Sequence, residues 1–321
     1  TAMELFPGFY DAAIEFNSKY EKQIDNVGVR TIVGELENNS DRPSRFYNTQ
    51  TCLFSDSAFE FYPSDAGKVV YKIFPTNSAP YDKHYLQLEI VAPNGYIAHS
   101  GGTRVGPMPY GNKQLYTFVP GANREGKDYR SSVATSCAFT VDTIPEQPRE
   151  IQLSQKTITM YDEIPYHMTE WWHQSLAYTK MPKIFELCET LLGPYPYDTY
   201  GHTFSRGTGS AMEHLERSSY SMVFREIGVY IHETVHMWIQ NKYTWGSRKE
   251  YWVDEGLTSL LETYIQDLLF IDNNENIPTN YTYLRMLRIY NDRLDDWGRK
   301  SINESYGSQN YDRASLIWFV L

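Results

Sequence analysis

The clearest chemistry in the chain is carried by two histidines four residues apart, the first followed directly by a glutamate, in Ile231-His232-Glu233-Thr234-Val235-His236. This H-E-x-x-H pattern lies within an apolar series, Ile227, Ile231, Val235 and Ile239, which recurs every four residues and marks a helix with one buried face. Residues four apart on an α-helix stand one turn above each other. Both imidazoles therefore leave the same face and can grip one Zn2+ at about 2.0–2.1 Å. Glu233 sits about 100° around the axis from His232, beside the metal rather than on it, where a general base for water belongs.

Two imidazoles leave a catalytic zinc one protein ligand short, because such sites use three and keep the fourth position for water. The run Trp252-Val253-Asp254-Glu255-Gly256 opens the next amphipathic pattern and offers both Asp254 and Glu255; spacing alone does not choose between them. Two histidines and a carboxylate suit Zn2+ among the common divalent ions.

With these residues in hand, the chain resembles the alanyl-aminopeptidase family of thermolysin-like zinc peptidases, the gluzincins that include the leukotriene hydrolase. That signature is H-E-x-x-H, eighteen residues, then Glu within W-L-N-E-G, and here eighteen residues separate His236 from Glu255. The resemblance implies metal ligands His232, His236 and Glu255, with Asp254 where the family has Asn. Ser210-Ala211-Met212-Glu213-His214 is similar to the family's G-A-M-E-N segment, and Ser218-Ser219-Tyr220 to the strand after it. By that likeness the segment binds substrate and Glu213 holds the free α-amino group. A buried carboxylate is a sound partner for a cationic terminus and so measures where the cut falls. Ser210 replaces Gly and His214 replaces Asn; the Glu-His ending resembles the related glycyl aminopeptidases. Asn310-Tyr311-Asp312-Arg313-Ala314 is similar to the Y-x-K-G segment, which implies that Tyr311 donates to the oxyanion. Glu262, two turns beyond Glu255 on the same helical face, is a candidate acceptor for a ligand imidazole.

These side chains need elements to hold them. Beyond about residue 148 helical patterns dominate: Ile184, Phe185, Cys188, Leu191 and Leu192 form a stripe closed by Gly193-Pro194, and Leu257, Leu260, Leu261, Tyr264, Ile265 and Leu268 form another. Ala314 to Leu321 reads as an apolar helix without a cap, so the natural protein is expected to continue past it. From Thr31 to about Thr143 the pattern is of short strands, among them Val69–Ile73, Tyr85–Val91 and Gln114–Val119, with turn chemistry at Pro93-Asn94-Gly95 and Gly101-Gly102. A charged, proline-containing stretch, Pro145 to Glu150, is expected to separate the halves. The expectation is an α+β multidomain chain: a β-rich N-terminal domain over 1–147, and a thermolysin-like, mostly helical catalytic domain over 148–321. The family's Pro-Cys-x-Asp-Glu segment is missing from the first, and its helical C-terminal domain from these residues.

Composition excludes some functions. Apolar residues at 41% and charged residues at 21% are those of a globular protein, and no apolar run approaches the ~18 residues of a membrane span. A formal charge of −11 without a Lys/Arg cluster disfavours nucleic acid and anionic membranes and suits cationic ligands such as peptide amines. Cys52, Cys137 and Cys188 lack any C-x-x-C spacing and read as packing residues. The chain opens on Thr1-Ala2-Met3 without an apolar segment, so any targeting segment has been removed or never existed. Sequons at Asn38, Asn280 and Asn303 fit a secreted or periplasmic protein. Nothing in the pattern specifies an oligomeric state.

The expected activity is zinc-dependent removal of N-terminal residues from peptides. Its rivals are a zinc endopeptidase or a non-peptide hydrolase on the same core, and a catalytically silent zinc-binding module, which would have no reason to keep Glu233.

Overall fold

The computed structural model describes residues 88–121, 138–205, 211–221, 225–244, 251–271, 281–293 and 309–320, together with four strands at 20–24, 30–34, 52–55 and 58–61. The expected strand at Val69–Ile73 and residues Tyr85 to Gln87 lie outside them, as does Ser210.

Among the described residues the first nine elements are strands: β1 (Tyr20–Ile24), β2 (Arg30–Gly34), β3 (Cys52–Ser55), β4 (Ala58–Phe61), β5 (Leu88–Pro93), β6 (Ile97–Ser100), β7 (Thr103–Tyr110), β8 (Lys113–Val119) and β9 (Phe139–Asp142). They form a β1-β2 hairpin, a sheet in the order β3-β4-β9-β6 and another in the order β5-β8-β7. The period of two shows in the burial. Leu88, Ile90 and Ala92 of β5 face Tyr116 and Phe118 of β8 in one core, antiparallel with Leu88 opposite Phe118. Asn94 and Gly95 make the turn into β6, with Gly95 at φ +85.

The stretch expected to separate the halves is not a loop: β10 (Glu146–Gln152) occupies it, paired antiparallel with β11 (Thr157–Glu163). Proline at position 148 is tolerated because β10 is an outer strand of its sheet, where one N–H fewer costs no ladder bond. Sheet membership nonetheless changes here, since β10 and β11 belong with later strands. After β11 come a turn of tighter helix (Tyr166–Met168), α1 (Thr169–Gln174), α2 (Leu176–Leu192), β12 (Thr199–Ser205), β13 (Ala211–Met212) and β14 (Ser218–Ser221). The sheet order is β10-β11-β12-β14-β13, with β11, β12 and β14 parallel and β13 antiparallel at the edge. The helices α3 (Ile227–Val235), α4 (Tyr251–Ile271), α5 (Tyr281–Arg293) and α6 (Ala314–Val320) follow, the last preceded by a wide helical turn at Gln309–Arg313. The chain is thus α+β, and no helix is long and apolar enough to cross a membrane among the described residues.

Helix α2 begins where Ser175 accepts a hydrogen bond from the Tyr178 N–H and ends at Gly193, φ +85. Ile184, Phe185 and Cys188 are fully buried, whereas Leu191 faces solvent, so the stripe is narrower than its sequence implies. On α4, Tyr264 is likewise exposed while Ile265 and Leu269 enter the core.

Aromatic packing sets the pose of α3. Tyr230 stacks on Tyr220 of β14 with ring centroids 4.4 Å apart, and Thr234 Oγ1 lies 3.2 Å from the Tyr200 hydroxyl of β12. Trp238, just past the helix, is fully buried and donates to the Gly193 carbonyl at 2.8 Å. These contacts clamp the helix carrying His232 to the sheet.

Candidate metal centre

His232 lies in the last turn of α3, and His236 is the residue that closes it, with φ −60, ψ −15 and an N–H bond to the His232 carbonyl at 3.2 Å. The helix is therefore shorter than the apolar series implies: Ile239 is buried beyond its end, not on it. One surviving turn suffices to bring the two rings edge to face, with centroids 4.8 Å apart. Glu255 enters from the second turn of α4.

Three donor atoms converge. His232 Nε2 lies 3.2 Å from Glu255 Oε2, His236 Nε2 lies 3.5 Å from the same oxygen, and the two Nε2 atoms are 3.1 Å apart. A tetrahedral ion with bonds of about 2.0–2.1 Å separates its ligands by roughly 3.3 Å, so these spacings fit a zinc ion. The opposite ring nitrogens face carboxylates. His232 Nδ1 lies 3.1 Å from Glu262 Oε2, and His236 Nδ1 lies 3.3 Å from Asp254 Oδ1. Asp254, left open as a ligand by spacing, thus sits behind His236, and the convergent oxygen is that of Glu255. Arg285 of α5 donates to Glu262 Oε1 at 3.3 Å and holds that carboxylate in turn.

The electrostatics call for positive charge at this point. Burial alone would lower the pKa of both imidazoles, yet Glu255 and Glu262 push His232 up to about 10, and Asp254, Glu213 and Glu255 hold His236 well above its ordinary value. Burial would raise Glu255, but the two imidazoles override it and hold its carboxyl well below the usual range. With the carboxylates of Glu255, Glu262 and Asp254 around two imidazoles, the cluster carries negative charge that a bound cation would offset.

Around it stand the other residues singled out in the sequence. Glu233 is buried, its Oε2 has no hydrogen-bond partner among the described residues, and burial pushes its pKa up to about 7 against the lowering pull of His232 and His236. Glu213 follows β13, is also buried with Oε1 unpartnered among the described residues, and is pushed up to about 8 by burial, with His236 opposing and Glu233, Glu255 and Asp254 adding to the shift. Tyr311 faces the Glu255 carboxylate, and its ring lies 5.9 Å from that of His232; burial and the surrounding carboxylates push its phenol far above 10. Ala211 and Met212 form the edge strand and are half-buried. His214 turns its imidazole onto Ser219 of β14, Nε2 to Oγ 3.1 Å.

Sequence reasoning missed the residues that fasten this assembly to the β-rich half. Arg217, His99, Asp142 and Glu163 are buried and linked with the half-buried Glu146, and the buried Glu216 beside them is bonded to Gly121 and Thr199. Their partners lie up to 117 residues apart in the chain, so no local signal marks them. His99, Asp142 and Glu163 also bring three donor atoms within 4.8 Å of one another. Arg217 Nη2 lies 3.2 Å from Glu163, so this second group already has a cation against it.

Solved structures share the fold. The M1 zinc metallopeptidase from Deinococcus radiodurans superposes with a TM-score of 0.65 over 89% of this chain and 62% of that one, at 16% identity. A glutamate-to-alanine mutant of that enzyme gives 0.66 at 15% identity over the same shares, and the mutant bound to a Tyr-Ser-Ala substrate gives 0.65 at 17%. This chain therefore spans under two thirds of the length of those structures. No family sequence model matches it, and no curated protein matches it by sequence. At such identities the likeness establishes the architecture, that of the M1 zinc metallopeptidases.

Proposed function

We propose that this chain is a zinc-dependent aminopeptidase, and the observation that carries the reading is the convergence of His232 Nε2, His236 Nε2 and Glu255 Oε2 beside two buried carboxylates with unpartnered oxygens. Zinc held by those three atoms would supply a Lewis acid that polarises the scissile carbonyl and acidifies the attacking water. Glu233 Oε2 takes a proton from that water and passes it to the nitrogen of the leaving peptide; a pKa near 7 suits both halves of the exchange. Tyr311, whose phenol stays protonated at any working pH, donates to the oxygen that becomes negative.

Glu213 binds the α-ammonium of the substrate. A buried carboxylate left with an unpartnered oxygen gains a charge-assisted bond from such a cation, and recovers its own ionisation by doing so. Ser210, Ala211, Met212 and His214 flank it in the same segment. Because β13 is the sheet's edge, the backbone of Ala211 and Met212 can pair with an extended peptide and align it with the cluster. The division into a β-rich domain over 1–147 and a catalytic domain over 148–321 is part of this proposal; the change of sheet between Asp142 and Glu146 supports it.

The test is a zinc-loaded preparation assayed on aminoacyl arylamides and on one peptide with a free or an acetylated N-terminus. Chelator is expected to abolish hydrolysis, and acetylation to slow it by about 100-fold, the cost of losing a charged contact and leaving Glu213 unpaired. Equal rates on the two peptides would remove the exopeptidase assignment. Glu233→Gln should abolish turnover while zinc stays bound at one ion per chain; near-normal activity would refute the role of Glu233.

A further inference from the structure

The five residues from Glu213 to Arg217 join β13 to β14 in a tight hairpin, closed by an Arg217 N–H bond to the His214 carbonyl at 3.0 Å. Glu216 takes φ +59 in this turn, a left-handed conformation that a residue with a Cβ adopts only where its surroundings hold it. The holding contacts come from both halves of the chain. Gly121, just past β8, donates its N–H to Glu216 Oε2 at 2.5 Å, and Thr199 at the start of β12 donates its hydroxyl to Oε1 at 2.8 Å.

Arg217 does the same on the other side. Its Nη1 lies 3.4 Å from the Ser100 carbonyl and 3.2 Å from Glu146, its Nη2 3.2 Å from Glu163, and its Nε 2.5 Å from Thr203 Oγ1. The guanidinium is 4% exposed and thus spans the seam between β6, β10, β11 and β12. Just before these two anchors the backbone of Leu215 rests directly on Gly101: a Cβ there would stand 2.0 Å from the Leu215 carbonyl oxygen. At the hairpin's other end Asn241, just beyond the metal helix, donates to the Glu213 carbonyl at 3.0 Å.

We infer that Glu216 and Arg217 are positioning residues that fix the Glu213 carboxylate at its distance from the metal cluster, and that the β-rich half, through Ser100, Gly101 and Gly121, thereby sets how many residues are cut from a peptide. The inference rests on the reading of Glu213 as the amine anchor. The physical case is one of leverage. Glu213 Oε1 has no hydrogen-bond partner among the described residues, so its place depends largely on its backbone, and that backbone is pinned three residues later by a carboxylate with three donors and four residues later by a guanidinium with four acceptors. Loosening either pin frees the anchor without touching His232, His236 or Glu255.

The experiment is a double-mutant cycle on the zinc-loaded full chain with Arg217→Lys, Glu216→Gln, Glu213→Gln and each pair. The readouts are zinc content, Tm, KM and kcat on an aminoacyl arylamide, cleavage of one N-acetylated peptide, and the Kd of leucinamide by calorimetry. Arg217→Lys keeps the charge but cannot reach all four acceptors; Glu216→Gln keeps the shape and serves if the first variant folds poorly. Each is expected to raise KM and the leucinamide Kd about tenfold, with kcat and zinc content within about threefold of wild type and the acetylated peptide unaffected. In the Glu213→Gln background the same changes should shift KM by less than about twofold, since the group they position is gone. Equal shifts in both backgrounds, or a fall in kcat and zinc content with KM unchanged, would overturn the positioning role. If Glu213→Gln alone leaves the preference for free N-termini intact, the reading of Glu213 as the amine anchor is what fails.

Discussion

Glu262 reaches back along α4 to His232: its Oε2 lies 3.1 Å from Nδ1, while Nε2 of the same ring lies 3.2 Å from Glu255. The imidazole is held edge-on between two carboxylates of one helix; for His236, Asp254 Oδ1 lies 3.3 Å from Nδ1 as an ion-pair contact, beside the Ile239 carbonyl at 3.4 Å. Fixing Nδ1 as the protonated nitrogen leaves Nε2 as a lone-pair donor, which a metal requires.

Removing either support should therefore weaken zinc without removing a ligand. Glu262→Gln and Asp254→Asn are each expected to lower zinc affinity by about 10- to 100-fold, measured by competition with a chromogenic chelator. Unchanged affinity in both variants would mean that the rings are oriented by packing alone.

Tyr311 touches the cluster through Glu255 and lies in the wide turn ahead of α6. Tyr311→Phe keeps the ring against His232 and removes only the donor. The expected result is a fall in kcat of about 100- to 1,000-fold with KM nearly constant, because the bond is made to charge that develops in the transition state. A rise in KM with kcat intact would assign Tyr311 to substrate binding instead.

His99 gives the fold an alkaline limit. It is fully buried, faced by Asp142 of β9, Glu146 of β10, Glu163 of β11 and the neighbouring Arg217 and Arg104. Burial would lower its pKa, but Glu163, Asp142 and Glu146 raise it to about 9. A folded-state pKa above the unfolded one means a contribution fully present below about pH 6.5 and lost as pH rises through about 9, at most about 3 kcal/mol. Glu146, held down to about 2 by His99, Arg217 and Arg104 despite its burial, works at the other limb: its contribution is full above about pH 4.5 and is lost as pH falls through about 2. The Tm gap between wild type and His99→Gln is expected to be widest near pH 6 and to close by about pH 10. A gap independent of pH would assign His99 a packing role only.

Gly256, beside Glu255, lies where α4 crosses α6. An added Cβ would stand 2.2 Å from that of Ala314, both residues being buried. Gly256→Ala is expected to destabilise the fold by about 1–3 kcal/mol and, by shifting the first turns of α4, to reduce zinc occupancy. Stability can be followed by denaturant unfolding and occupancy by metal analysis; a neutral substitution would show that α6 yields.

Much of this protein is determined by its sequence alone, and for a physical reason: a helix has a fixed pitch. Four-residue spacing places His232 over His236 whatever surrounds them, and alternation in Leu88–Ala92 and Tyr116–Phe118 buries one face of each strand. Gly193 ends α2 because a left-handed φ is needed there. What the sequence did not disclose is decided by contacts between segments far apart. Spacing left Asp254 and Glu255 equivalent, and only the pose of α4 against α3 turns one carboxylate to Nε2 and the other to Nδ1. Most of the central sheet escaped notice because β12 reads Thr-Tyr-Gly-His-Thr-Phe-Ser: His202 and Thr203 are buried and bonded to Asp162 and Glu163 of the neighbouring strand, so polar residues stand where a buried strand would otherwise read as apolar. The seam built on Arg217 is invisible for the same reason. A buried ion pair has no period, and its members are chosen by a fold that brings Ser100, Glu146 and Glu163 to one guanidinium.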